Sequence, residues 1–324
     1  MRIAVDAMGG DHAPEQVVLG ASEAASEYGI DIALVGLPAA VQPLLENHPR
    51  LQLVPCTQVI AMDEHPAQAV RSKPDASMCV CARMCKEGRA DGWTSAGNSG
   101  AVMAAALFIQ GRIKGVERPA LGSIVPTQDG FAYFLDVGAN VDSKPEYLVQ
   151  FAAMGAVYAR EMMSRQNPRV GLLSNGEEEG KGDERVKDTS RRLRDTLPGF
   201  IGNVEPKDIY SGRADVVVAD GFVGNVAIKM AEATADFLFR TLRDEIPKTL
   251  LGKLGGMLIR PGVRRIRSRI DWREFGGAPL LGIDGVAVVA HGRSDSLAIK
   301  NAIRVTRDAV QNQLVGKIRA EVGK

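Results

Sequence analysis

The chain has 324 residues, 45% hydrophobic and 24% charged, which is enough apolar content to bury a large core and excludes a disordered chain as the starting expectation. Lys+Arg 40 against Asp+Glu 39 leaves a net charge of +1, so overall charge gives no footprint for nucleic-acid binding and any basic surface must be local. The opening MRIAVDAMGG does not read as a signal peptide, and the longest apolar run, Ala101 to Ile109, falls far short of the roughly 20 residues that span a bilayer; a cytoplasmic protein is expected.

In chain order, the pattern predicts a strand at Ile3 to Val5, a helix after Pro14, a strand at Ile30 to Val35, a helix after Pro38, and a strand at Leu51 to Val54. This βαβαβ opening implies a parallel sheet. Further strands are expected at Gly92 to Ser95, Gly122 to Val125, Ala132 to Val137, Val170 to Leu173, Val216 to Ala219 and Val286 to Ala290, most with a helix behind them. The helix after Asp142 starts with a capping-box spacing, Ser143 to Glu146, and is apolar on nearly every face as far as Tyr158; it should lie in the core or at a subunit interface. A last amphipathic helix is expected from Ser294. No repeat, linker or domain break interrupts residues 1–324, which read as a single α/β domain.

Cys56, Cys79, Cys81 and Cys85 lack paired C-x-x-C spacing and a nearby histidine, so buried free thiols are expected rather than a metal or redox site. Residues 246–273 differ in character from the rest. Lys253, Arg260, Arg264, Arg265 and Arg267 alternate there with leucines and isoleucines, a basic amphipathic segment suited to an acidic partner or an anionic membrane surface, or else a solvated helical hairpin.

Chemistry is carried by five glycine- and asparagine-rich turns that follow predicted strands, where open α/β sheets place ligands. They are Asp6 to His12, Ser95 to Gly100, Asp136 to Asn140, Asn175 to Gly182 and Asp220 to Asn225. Glycine allows close backbone approach, and N–H groups opening a helix favour an anion, so a phosphate-sized ligand suits Gly97, Asn98, Ser99 and Gly100 best. Each turn taken alone could merely join a strand to a helix. None matches a nucleotide fingerprint: Gly9-Gly10 does not continue as G-x-G-x-x-G, and Gly182 stands where a P-loop needs Ser or Thr. Ser99 is not in a nucleophile elbow, and no cysteine lies in a glycine turn, so covalent catalysis has no residue. His12 and His291 sit in glycine-bearing turns, with His12 the stronger catalytic candidate.

In combination, IAVDAMGGDHAP, SAGNSGA, GRIKGVERPAL, DVGAN, NGEEEGKG, ADGFVGN and GGAPLLG followed by AHGRSD resemble the PlsX family of acyl-ACP:phosphate acyltransferases, in order and over essentially the whole chain. The resemblance implies a doubly wound, mostly parallel, Rossmann-like α/β fold, similar to phosphate acetyltransferases and the isocitrate dehydrogenase class, and a homodimer. It implies an acyl group passed from acyl carrier protein to inorganic phosphate, with no metal or other cofactor, and an acyl phosphate handed to a membrane glycerol-phosphate acyltransferase. Ser99 stands where relatives often have Thr, which keeps the hydroxyl.

A thioester is already activated and phosphate is largely dianionic near pH 7, so such a reaction needs holding and orienting more than a nucleophile. On that footing Gly97, Asn98, Ser99 and Gly100 would cradle phosphate, Lys181 would offset its charge, and Asn140 and Asn225 would donate to phosphate or to the oxyanion. Asp220 and His12 would orient these groups. Lys253, Arg260, Arg264, Arg265 and Arg267 would meet the acidic carrier or peripheral contact on the membrane. Two alternatives stand beside this reading. A metal- and NAD-dependent decarboxylating dehydrogenase of related fold would hold Mg²⁺ on Asp136, Glu177 and Asp220; a non-enzymatic scaffold would use the basic segment alone.

Overall fold

A computed structural model describes residues 1–45 and 48–322. Its strands are β1 (Arg2–Asp6), β2 (Asp31–Gly36), β3 (Leu51–Pro55), β4 (Gly92–Ser95), β5 (Ala120–Thr127), β6 (Gly130–Leu135), β7 (Val170–Leu173), β8 (Phe200–Val204), β9 (Val216–Val218), β10 (Ala278–Leu281) and β11 (Ala287–Val289). They form one sheet in the order β3-β2-β1-β4-β11-β10-β5-β6-β9-β7-β8.

Most neighbours are parallel, and the α/β, doubly wound architecture expected from the sequence is present. Successive residues of β1 serve opposite faces. Ile3 and Val5 pack with the helices Glu15–Tyr28 and Ser296–Gln311, while Ala4 packs with Met78, Cys79 and Val102 from the helices on the other side. Burial on both faces is why these strands read as continuous apolar runs.

Between the two parallel blocks runs an antiparallel seam. β10 is antiparallel to β11 and to β5, and β5 is antiparallel to β6. Only Leu280↔Leu121 and Leu281↔Ala120 join β10 to β5. The halves are therefore staggered, and the carboxyl ends of β4 and β11 come within a few residues, along the strand direction, of the carboxyl ends of β6 and β9.

The helix Pro145–Met162 is buried in the core of its own chain, with Leu148, Phe151, Met154, Val157 and Tyr158 at most 3% exposed against Leu135, Val216 and the helix Leu314–Val322. Most of its apolar surface is thus covered within its own chain. The expected capping box is also absent: Lys144 is the N-cap, Pro145 occupies the first turn, and the buried Ser143 hydroxyl makes no hydrogen bond. Proline prefers the first helical position, where its missing N–H costs nothing, and this fixes the N-cap one residue past Ser143.

Residues 246–273 lie mostly in the helix Leu250–Arg269, which follows the long helix Gly221–Glu245 after a short 3-10 turn. No residue of Leu250–Arg269 is buried. Leu250, Leu251 and Leu258 are each more than 80% exposed. Among the described residues no helix is long and apolar enough to cross a membrane.

Candidate active site

The five turns gather into two clusters, one at the carboxyl edge of each parallel block. In the first, β1 and β4 lie side by side, so Asp6 meets Ser95. The Ser95 hydroxyl donates to Asp6 Oδ2 at 2.6 Å, the Met8 amide donates to Oδ1 at 3.1 Å, and the Gly97 amide donates to Ser95 Oγ at 3.0 Å. Burial pushes the Asp6 carboxyl above its ordinary range, opposed by hydrogen bonds from Ser77 and Ser95. Gly9 must be glycine, because a Cβ would sit 2.6 Å from the Gly97 nitrogen and 2.7 Å from Asp6 Oδ2.

Asn98 caps the helix Ser99–Ala105 by accepting from the Ala101 amide at 3.1 Å. Its side-chain amide donates to the Met62 carbonyl at 2.9 Å and the Glu64 carbonyl at 3.1 Å. Both amide hydrogens are therefore committed to the neighbouring loop, and the expected side-chain donation from Asn98 to phosphate is corrected. What this turn offers a ligand is backbone N–H groups and the Ser99 hydroxyl.

The second cluster is organised by Asp136, which has no exposure to solvent. It accepts from the backbone amides of Leu121, Gly138, Ala139 and Asn140 and from the Asn140 side chain, at 2.8–3.2 Å. Burial raises the Asp136 carboxyl, and these donors pull it back. Asn140 also donates to the Pro119 carbonyl at 2.8 Å, so its two amide hydrogens are occupied and its expected donation to phosphate is corrected on the same ground. Asn225 donates to the Val137 carbonyl at 3.1 Å, which leaves one amide hydrogen. Gly224 passes so close to Asp136 that a Cβ would run into its carbonyl oxygen.

Asp220 caps the helix Gly221–Glu245 through the Phe222 and Val223 amides, and its other oxygen pairs with Arg185 at 2.8 Å. Arg185 reaches Asp183 as well, the cap of the helix Glu184–Thr196, so it ties two helix starts together beside the Lys181 turn. Sequence reasoning passed over Arg185; the signal was a second cation four residues after Lys181 at the start of a helix. Lys181 itself is exposed on the turn after β7. The three adjacent acids point apart: Glu177 pairs with Arg213 and Lys207, and Glu179 with Arg194. With Asp136 and Asp220 committed as described, the Mg²⁺ triad of the dehydrogenase alternative is not assembled.

A cavity of about 890 Å³ lies between the clusters. Ser99, Ala290, His291 and Ser294 border it on one side, and Leu121, Leu173, Phe222 and Val223 on the other. Apolar lining with a few polar groups at the rim is the usual make-up of a small-molecule site. His291 lies on this wall with its ring 4.9 Å from that of Trp272, and burial lowers its pKa, followed by the charge of Arg293. His12 is exposed and does not line the cavity, so of the two turn histidines it is His291 that a bound ligand would meet.

Residues 1–317 match the family model described as fatty acid synthesis protein. Over 327 residues the chain is 50% identical to a phosphate acyltransferase of Heliobacterium modesticaldum, covering 99% of this chain and 98% of the relative. The chain belongs to the phosphate acyltransferase family. It is also 47% identical to the phosphate acyltransferase of Geobacillus thermodenitrificans, covering 99% of each chain. Among solved structures, a phosphotransacetylase from Streptococcus pyogenes aligns with a TM-score of 0.66 at 16% identity, over 96% of this chain and 94% of its own. A branched-chain phosphotransacylase from Enterococcus faecalis aligns at 0.61 and 14% identity, over 96% and 99%. These two likenesses concern the fold.

For an acyltransferase the four cysteines supply no nucleophile. Cys56, Cys79 and Cys81 are buried, and burial pushes the Cys56 and Cys79 thiols up to about 11. Thiols held that high stay protonated and inert near neutral pH.

Proposed function

We propose that the protein transfers a fatty acyl group from acyl carrier protein to inorganic phosphate, releasing an acyl phosphate for phospholipid synthesis. The observation that carries this reading is the cavity: it is largely apolar, large enough for a long acyl chain, and bordered by Ser99 of the first turn cluster and by Leu121, Phe222 and Val223 beside the second. In this reading the chain lies in the cavity and the thioester stands at the rim. The backbone amides of Asn98, Ser99 and Gly100 would face it from one bank, and Lys181, Arg185 and the free amide hydrogen of Asn225 from the other.

Phosphate oxygen attacks the thioester carbon, the carbon–sulfur bond breaks as the tetrahedral intermediate collapses, and the thiolate leaves to take a proton from solvent. No protein nucleophile is needed. Positioning removes much of the entropic barrier, and donors aimed at the developing oxyanion contribute a few kcal/mol, on the order of 3, of further stabilisation.

Lys253, Arg260, Arg264, Arg265 and Arg267 would steer the acidic carrier and hold the exposed leucines of the helix Leu250–Arg269 against an anionic membrane, near the enzyme that uses the product. Each basic residue near such a surface contributes about 1 kcal/mol. In the same reading the protein works as a homodimer in the cytoplasm, which sedimentation at micromolar concentration would test.

The deciding experiment incubates purified protein with palmitoyl carrier protein, with and without phosphate, and follows free carrier and hydroxylamine-reactive product. Release that depends on phosphate and yields acyl phosphate supports the proposal. Release without phosphate, or none from folded protein, overturns it.

A further inference from the structure

The helix Gly221–Glu245 presents two rows of side chains to the cavity. One row is large: Val226, Met230, Thr234 and Leu238. The other is small: Ala227, Ala231 and Ala235. Spacings of four residues place each alanine one turn beyond the last on the same side of the helix. A row of alanines beside a row of larger side chains forms a straight groove, and one methyl group per turn is all that fills it from this wall.

The levels of the groove can be fixed from its surroundings. Ala227 packs against the cluster that also receives Leu121, where β5 begins next to Asp136. One turn further, Glu232 exerts its charge on both Tyr210 and His291, so this level is shared by the two banks. Ala235 and Leu238 continue the cavity beyond it. The groove thus starts at the helix end carrying Asp220 and Asn225 and runs away from it.

We propose that Ala227, Ala231 and Ala235 form a ruler that measures the acyl chain, with the carbonyl end at the helix start and the methyl end toward Leu238. The proposal rests on the acyl-transfer reading and adds to it the orientation of the chain and the residues that set its length. Successive alanines are about 6 Å apart, roughly five methylenes of an extended chain. A bulky residue at each position should therefore stop the chain at a different length. Ala231 and Ala235 line the cavity, while Ala227 also packs on the neighbouring core, so the fold of each variant is judged by its butyryl transfer.

The test compares Ala227→Phe, Ala231→Phe and Ala235→Phe in the full-length protein, with butyryl, octanoyl, dodecanoyl and palmitoyl carrier protein as donors and phosphate as acceptor. Ala233→Phe serves as the control, since Ala233 is exposed on the same helix outside the cavity. Ala235→Phe should lose palmitoyl transfer selectively, Ala231→Phe dodecanoyl as well, and Ala227→Phe all but butyryl. Each excluded chain should fall by about tenfold or more in kcat/KM, as overpacking implies. Butyryl transfer kept by all three variants shows that they are folded. Equal losses at every chain length, a reversed order, or the same pattern in Ala233→Phe would overturn the ruler. Wild-type protein that transfers no acyl group of any length would remove the underlying reading, and the ruler with it.

Discussion

The two turn clusters and the helix Leu250–Arg269 use their side chains in opposite ways. In the clusters Asp6, Asn98, Asp136, Asn140 and Asp220 are all held by hydrogen bonds within the chain. On the helix none of the large apolar side chains is buried, and Leu258 is 83% exposed. Buried polar groups must be satisfied, so the residue types that promised ligand contacts became the scaffold of the turns. Exposed apolar stretches of this extent mark surfaces that meet something else. The difference teaches where binding capacity remains: in backbone amides and the exposed Lys181 at the turns, and in uncovered apolar surface at the cavity and the helix.

This contrast can be broken in stages. Asp136→Ala strips the acceptor from buried donors and should cost about 3–5 kcal/mol of stability, seen as a lower urea midpoint; a silent substitution would mean the second cluster is not scaffolded by that carboxylate. Lys181→Met should instead leave the melting temperature unchanged, the side chain being exposed, and lower kcat/KM for phosphate by about a hundredfold, as removal of an oxyanion donor does. Equal stability and equal kinetics would return Lys181 to the surface.

Arg264→Glu with Arg265→Glu should weaken carrier or anionic-liposome binding by about tenfold at low salt, with a smaller difference at high salt as charges are screened. Binding that is unaffected in both assays would make the helix a solvated arm. The smallest effect is expected at Asp215, remote from both regions. Burial alone would raise its carboxyl, but hydrogen bonds and charge from Arg169, with the charge of Arg165, outweigh burial and hold it below the ordinary value. A depressed carboxylate stabilises the fold above its unfolded pKa and ceases to as pH falls through the folded one. Asp215→Asn should therefore cost about 1 kcal/mol at neutral pH, little because its arginine partners are half-exposed, and nothing once both forms are measured well below pH 3.8.

Most of the sheet was legible because its strands are buried on both faces and stand as unbroken apolar runs. β8 and β10 were not. Gly202 and Asn203 interrupt the first, and the second is a four-residue Ala-Pro-Leu-Leu preceded by two glycines, held as a strand between β11 nearby and β5 far away in sequence. The turns were found by their glycines, yet Asp220 to Asn225 proved to be a cap and the first turn of a helix. Asn98 and Asn140 look from sequence like ligand donors because their capping partners, Met62, Glu64 and Pro119, are invisible in a linear reading. The cavity could not be read at all, since its walls are drawn from β5, the long helix and the turn carrying His291.

The seam strands have a consequence for the chain as it is made. β11 lies between β4 and β10, and the Thr94 hydroxyl reaches the Val288 carbonyl across 194 positions. Until residues 278–289 have left the ribosome, β4 and β5 each present an open inner edge, the kind of surface that invites pairing with another chain. Closing the sheet must wait for contacts of very long range, which makes folding slow. A nascent chain paused before that point would be the form most in need of a chaperone.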